Sequence, residues 1–182
     1  MKGMKEIESP KKDIFQRFED KIEELKVTLP PTGREFGNSC ARHTFINFLD
    51  ILGLDEFESC YYNNLAIPFS GFGSYISDKG WKGPCGVVSG SIAAIGIIMG
   101  GHENTPSKVV PLVFTKAIQF AYKFETEFGS VSCHDLVGLD LSKEYKKYKD
   151  QHLWEKKCVD FIYFSIDLVR KLTRKDLKKY WQ

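Results

Sequence analysis

Gly83-Pro84-Cys85-Gly86-Val87-Val88-Ser89-Gly90, running on through Ser91-Ile92-Ala93-Ala94-Ile95-Gly96-Ile97-Ile98-Met99, is the stretch whose reading decides the fold. An apolar run of this kind, with small residues and no charge, reads as a helix buried on every side. Pro84 is placed at its first position, where a missing N–H is no loss. Cys85 is then expected in the first turn, among backbone N–H groups that lack intrahelical partners. The partial positive charge at that end favours a thiolate or an anionic metal cluster. Gly86, Gly90 and Ala94 recur at i, i+4 spacing, with Ser89, Ala93 and Gly96 beside them, so other backbones can approach this helix closely. A buried structural thiol is the simpler reading of Cys85 taken alone.

Working outward from that helix, the rest of the chain also reads as helical. Ile14, Phe18, Ile22 and Leu25 form a stripe at helical spacing that Leu29-Pro30-Pro31 stops. This segment, residues 1–35, reads as an arm that packs on its own domain or on a second subunit. Asn38-Ser39 supplies an N-cap for a second helix that begins at Cys40 and carries Ala41, Phe45, Phe48, Leu49 and Leu52 on one face, with Gly53 ending it. A shorter helix is expected from Glu56 to Ala66, holding Cys60. Ser70-Gly71-Phe72-Gly73-Ser74 then reads as a glycine-bearing turn without the spacing of a phosphate loop.

A long helix follows Ser107, with Val110, Phe114, Ala117, Ile118, Ala121, Phe124 and Phe128 on its apolar side and Gly129 at its end. Ser132 and Asp135 suggest a capping box that sets Cys133 in another first turn. Residues 142–149 read as a solvated segment. The next helix starts at Trp154, with Cys158, Phe161, Ile162, Ser165, Leu168, Val169 and Leu172 inward. Thr173 caps a terminal helix over residues 173–182. No stretch alternates as a strand. The expectation is an all-α bundle of about six to eight helices around the small-residue helix, with residues 36–172 as one four-cysteine domain.

Composition bounds the function classes. The chain has 182 residues, 42% of them hydrophobic, and a formal net charge of +2. That is enough apolar material for one real core, and the overall charge demands neither nucleic acid nor a membrane surface. The charge is uneven, because residues 142–182 hold 12 Lys or Arg against 6 Asp or Glu. The N-terminal residues show no apolar signal-peptide core, and the apolar run from Val87 to Met99 is too short to span a bilayer. No membrane association and a cytoplasmic location are therefore expected. In a reducing compartment five cysteines make an unlikely disulfide framework and point instead to a metal or redox set.

Three cysteines, Cys40, Cys85 and Cys133, fall at predicted helix starts, and Cys158 faces inward from a fourth helix. Helix starts brought together would converge dipole ends and free N–H groups on one place, which suits an iron–sulfur cluster. There is no CxxC pair, and spacing alone leaves four unrelated core cysteines equally open. His43, His102, His134 and His152 are read as surface or capped side chains. No CxxCH occurs, so covalent c-type haem attachment is not expected.

The residues NSCARHTFINFLDILGLDE (38–56), GFGSYISDKGWKGPCGVVSG (71–90), FGSVSCHDLVGLDLS (128–142) and KKCVDFIYFSIDLV (156–169) carry a resemblance. Together they resemble the redox-active family named for its C…GCAxxG…C…C pattern, to which a domain of split-Soret cytochrome c is also similar. The resemblance implies that Cys40, Cys85, Cys133 and Cys158 are the redox or metal-binding set, and it leaves Cys60 outside the pattern. It implies an iron–sulfur cluster, [2Fe–2S] ahead of [4Fe–4S], for electron transfer or redox sensing. A metal-free thiol–disulfide protein and a zinc site are the alternatives on the same residues. A redox partner protein is implied, and a homodimer through the arm or the small-residue helix is considered. A nucleic-acid-binding role for the basic, aromatic tail from Tyr145 to Trp181 is a further alternative, with the solvated helix face preferred to it.

Overall fold

The computed structural model describes residues 12–28, 39–54 and 56–182, with the side chains of 56–60, 62 and 63 left aside. It is an all-α, compact fold. The elements are α1 (Ile14–Thr28), α2 (Cys40–Leu52), α3 (Glu56–Gly73), α4 (Gly86–Gly100), α5 (Val110–Phe128), α6 (Cys133–Val137), α7 (Tyr145–Asp150), α8 (Val159–Leu172) and α9 (Arg174–Tyr180), with a π-helical turn at Trp154–Cys158 leading into α8. That is nine α-helices among the described residues. The additional ones over the expected count are short. No helix among the described residues is long and apolar enough to cross a membrane.

The small-residue helix α4 is central. It packs against α2, α3, α5, α8 and α9, and Val87, Val88, Ala94, Ile95, Ile98 and Met99 are all buried. Gly86 and Gly90 face α2. A Cβ on Gly90 would stand 2.8 Å from the Ala41 carbonyl oxygen, and one on Gly86 would stand 3.0 Å from the Ala41 nitrogen. The two backbones meet because neither glycine has a side chain.

α2 follows the expected pattern in full. Ser39 accepts from the Arg42 N–H, Gly53 closes the helix at φ 73°, and Ala41, Phe45, Phe48, Leu49 and Leu52 are buried. α1 lies on α2 and α8 with Ile14, Phe18 and Leu25 in the core. Tyr163 Oη donates to the Leu25 carbonyl at 3.0 Å and Arg170 pairs with Glu19 at 2.9 Å, so α1 is fastened along its length. At the other terminus, Trp181 Nε1 donates to the Ile98 carbonyl at 3.0 Å, tying the chain end to the last turn of α4.

Four expectations need correction. α3 does not stop near Ala66 but runs on through Pro68 to Gly73, so the anticipated glycine turn at residues 70–74 is its last turn. Pro68 removes a helix hydrogen bond. Ala66 and Ser70, four residues apart, are both buried on the packed side, and that tertiary contact outweighs the local signal. Cys85 is the N-cap of α4 rather than a first-turn residue, with φ −56° and ψ 136°. The chain stays extended there because Pro84 bridges to Ser132 in an isolated antiparallel pair. In α5 the buried stripe is rotated from the expected one: Phe120 and Phe124 are buried, whereas Phe114 and Ile118 are 63% and 69% exposed. Residues 145–150, expected as solvated, form α7 with Tyr148 buried.

Candidate functional site

Each of the four cysteines reaches the site through a different piece of local structure. Cys40 opens α2, whose first N–H groups are held from two directions. Ser39 Oγ accepts from Arg42, and Ser70 Oγ, arriving from the last turn of α3, accepts from Ala41 at 3.0 Å. Ser70 thereby fixes where Cys40 stands relative to α3. The same Ser70 oxygen lies 2.7 Å from the place a Cβ on Gly86 would occupy, and Cys40 Cβ lies 3.3 Å from it. The starts of α2 and α4 are therefore in direct contact.

Cys85 and Cys133 are joined by backbone. The Cys85 N–H donates to the Val131 carbonyl at 2.7 Å, and the Cys133 N–H donates to the Gly83 carbonyl at 3.2 Å. These two bonds flank the Pro84–Ser132 bridge. Side chains alternate along such a ladder, so both cysteines project from the face opposite Pro84 and Ser132. Diagonal neighbours of this kind lie about 7–8 Å apart in an ideal pair. Two glycines let the end of α3 close on the same segment: a Cβ on Gly73 would meet the Pro84 carbonyl oxygen at 2.6 Å, and one on Gly83 would meet the Phe72 carbonyl oxygen at 2.0 Å. Ser132 then caps α6 by accepting from the Asp135 N–H at 3.4 Å. The reciprocal half of a capping box is absent, because the Asp135 carboxylate turns to Lys82 and Ser130.

Cys158 closes the π-helical turn, whose wider winding brings Trp154 and Cys158 both into the core. The phenol of Tyr148 lies 3.4 Å from its sulfur, with both groups buried. Sequence reasoning missed Tyr148, which sits among lysines in a stretch that carries no apolar periodicity.

None of the four is in a disulfide, and all are buried, at 4–6% exposure. Their electrostatics link them in pairs. Cys85 is pushed well above the ordinary thiol range, first by burial and then by Cys133 and Cys40. The N–H groups of Val87 and Val88 act in the opposite direction on its sulfur, although too loosely to count as a side-chain cap. Cys158 is likewise pushed well up, first by its hydrogen bond with the Cys40 side chain, then by burial and charge repulsion from Cys40. Tyr148 opposes this, and Cys85 adds to it. Cys158 thus retains its proton against Cys40. In this state the two sulfurs hold protons that a metal would have to displace.

The donor set suits a thiolate-bound metal group: four sulfurs, dry surroundings and backbone N–H groups aimed at one of them. Among the described residues, however, no group of three or more His, Cys, Asp or Glu is arranged to hold a metal ion. Cys60 lies on α3, and its side chain is outside the described set. The histidines stay apart from the thiols' chemistry. His134 pairs with Asp135 at 3.3 Å, His102 contacts the Tyr180 carbonyl at 3.1 Å, and His152 approaches Glu155 at 3.5 Å. His43 is different from its expected surface role. Its ring packs on Trp154 with centroids 5.5 Å apart, and its Nε2 is buried without a hydrogen-bond partner.

Fold and site together define a class: an all-helical protein with four buried thiols drawn from four elements. Residues 38–172 match the family model described as "Putative redox-active protein (C_GCAxxG_C_C)", and the chain belongs to that family. Where the family name spells Gly-Cys-Ala, this chain has Pro84-Cys85-Gly86, and Gly86 is the residue whose Cβ would strike Ser70. No curated protein and no solved structure matches the chain.

Proposed function

We propose that this member of the redox-active family binds an iron–sulfur cluster through Cys40, Cys85, Cys133 and Cys158 and serves electron transfer or redox sensing. The observation that carries the reading is four buried thiols from four separate elements, linked pairwise as Cys133 with Cys85, Cys85 with Cys40 and Cys40 with Cys158, with the Val87 and Val88 N–H groups directed at Cys85. A cluster would supply one-electron chemistry. The chain's own residues would supply the thiolates, exclude water, and offer N–H and phenol donors to the sulfurs of Cys85 and Cys158. Four thiols in no disulfide suit a reducing compartment, in line with a cytoplasmic location.

Anaerobic purification followed by iron and acid-labile sulfide analysis tests the reading. Iron and sulfide are expected in the wild-type chain and in Cys60→Ser, and their loss is expected in Cys40→Ser, Cys85→Ser, Cys133→Ser and Cys158→Ser. A colourless anaerobic protein without iron would overturn it, and zinc in place of iron would move the same residues to a structural metal site.

The contact between Cys40 and Cys158 favours one second reading, a thiol–disulfide couple. Two thiols would yield one disulfide, two protons and two electrons to an added oxidant. Thiol counts before and after mild peroxide treatment separate the readings, because the metal-free couple loses two thiols reversibly. The basic tail offers less to nucleic acid than its composition suggests: Tyr148, Trp154 and Trp181 are all buried and present no free ring for stacking on bases.

A further inference from the structure

The outer side of α5 carries a concentrated apolar surface among the described residues. Leu112, Phe114, Ile118 and Tyr122 are 55%, 63%, 69% and 68% exposed. Phe114, Ile118 and Tyr122 follow one another at four-residue intervals, so they form a single stripe, and Pro111 extends it toward the helix start. The inner side is already engaged with α4 and α8, so nothing within the described chain covers the stripe. With about 200 Å² for a large apolar side chain, the exposed portions of Phe114, Ile118 and Tyr122 amount to about 400 Å². That is the size of the largest apolar patch on a typical monomer, a patch that is often functional.

We infer that this stripe is the contact face of a homodimer in which α5 packs antiparallel on α5 of a second copy about a two-fold axis at Ile118. The argument is self-complementarity. Ile118 has an aromatic residue four positions to either side, so a two-fold at that point sets Phe114 of each copy against Tyr122 of the other. Such isologous pairing is what a C2 interface requires. Charge selects the same direction. Glu125 lies on the stripe near the C-terminal end, and Lys108 lies just before the N-terminal end. Both are exposed, and neither has an ion-pair partner within the described chain. In the antiparallel arrangement each Glu125 comes opposite the Lys108 end of the other copy, about 4–5 Å away along the axis from a 1.5 Å rise per residue. The positive end of each helix dipole also meets the negative end of its neighbour. A parallel arrangement would set Lys108 against Lys108 and Glu125 against Glu125. The remaining charges of α5, Lys116, Lys123 and Glu127, project from other sides of the helix and leave the stripe itself apolar. Pro111, Thr115 and Gln119, all exposed, border the stripe and widen the contact.

This inference is independent of what the thiols bind. It is tested on the full chain, in reductant, by sedimentation equilibrium. The wild type is expected to be dimeric, and Ile118→Asp monomeric with unchanged helical circular dichroism, since that side chain is exposed. Glu125→Lys and Lys108→Glu should each weaken dimerisation about tenfold, and the double swap should restore it. Ile118→Cys should cross-link to its own copy under oxidation, and Lys123→Cys should not. A monomeric wild type overturns the inference, whether or not it binds vesicles of phosphatidylglycerol and phosphatidylcholine through the stripe. A dimer that survives Ile118→Asp, or single swaps that the double swap fails to rescue, also overturns it.

Discussion

Gly86→Ala asks whether the start of α4 is as closely held as the site requires. The added Cβ would lie 2.7 Å from Ser70 Oγ, 3.0 Å from the Ala41 nitrogen and 3.3 Å from Cys40 Cβ. Two of these neighbours cannot easily yield. The Ala41 nitrogen is backbone, and Ser70 Oγ is held where it accepts the Ala41 N–H, so turning it away uncaps α2. Overpacking of this kind costs about 1–3 kcal/mol, and loss of a cap adds about 1 kcal/mol. Against that stands the gain of replacing glycine in a helix, at most about 1 kcal/mol. The net expectation is a loss of about 1–3 kcal/mol, or about 2–12 °C in Tm for a chain of this size. Gly96→Ala is the internal control. It lies in the same helix with nothing within 4 Å of its would-be Cβ, so only the helix gain remains and stability should rise by up to about 1 kcal/mol. Urea unfolding of both variants under reducing conditions measures the difference. A Gly86→Ala protein as stable as Gly96→Ala would refute the claim that α2, α3 and α4 close on one another at this point.

Three further outcomes follow from the buried polar groups. Tyr148→Phe removes the phenol beside Cys158 and should lower stability by about 1 kcal/mol in chemical denaturation; no loss would mean that the phenol does not hold Cys158. Burial, followed by the positive charge of Arg42, lowers His43 from 6.5 to about 4. The unfolded chain then takes up a proton below 6.5 that the folded chain refuses until about 4, so stability is full above 6.5 and declines as pH falls across that window. His43→Phe keeps the ring contact with Trp154, removes the unpartnered Nε2, and should flatten this acid limb in pH-dependent melts. At the alkaline end the sign reverses: Cys85 and Cys158 are raised well above 9.0 in the folded, metal-free chain. Stability present below that value is lost as pH rises through it, because the unfolded chain ionises first. Cys85→Ser should reduce that slope in melts of reduced protein, and an unchanged slope would count against burial of Cys85 as a thiol.

How much of this was legible beforehand differs from element to element. α2 was readable throughout, because Ser39, the apolar spacing and Gly53 act within a few residues of one another and tertiary packing only agreed with them. α4 was readable as a buried helix because it has no polar face to present to water. The four cysteines were singled out by the family resemblance rather than by spacing, and the family match spans residues 38–172, in which they lie. Tyr148 was not, since six residues of a short, lysine-rich helix have no period that tells inside from outside. The true boundary of α3 was hidden as well. Pro68 and the glycines after it signal a stop, and only the contact of Ser70 with the first turn of α2 makes continuation favourable.

The sequence by itself therefore determined the helical class and the central place of α4, because periodicity and caps are local properties. Tertiary structure alone decided that Cys85 is an N-cap held beside Cys133 by a two-bond ladder, that Cys40 reaches Cys158, and that Phe114 and Ile118 face outward. Those outcomes depend on which backbones approach one another. That approach is set by missing side chains at Gly73, Gly83, Gly86 and Gly90, whose partners lie at positions that no local pattern specifies.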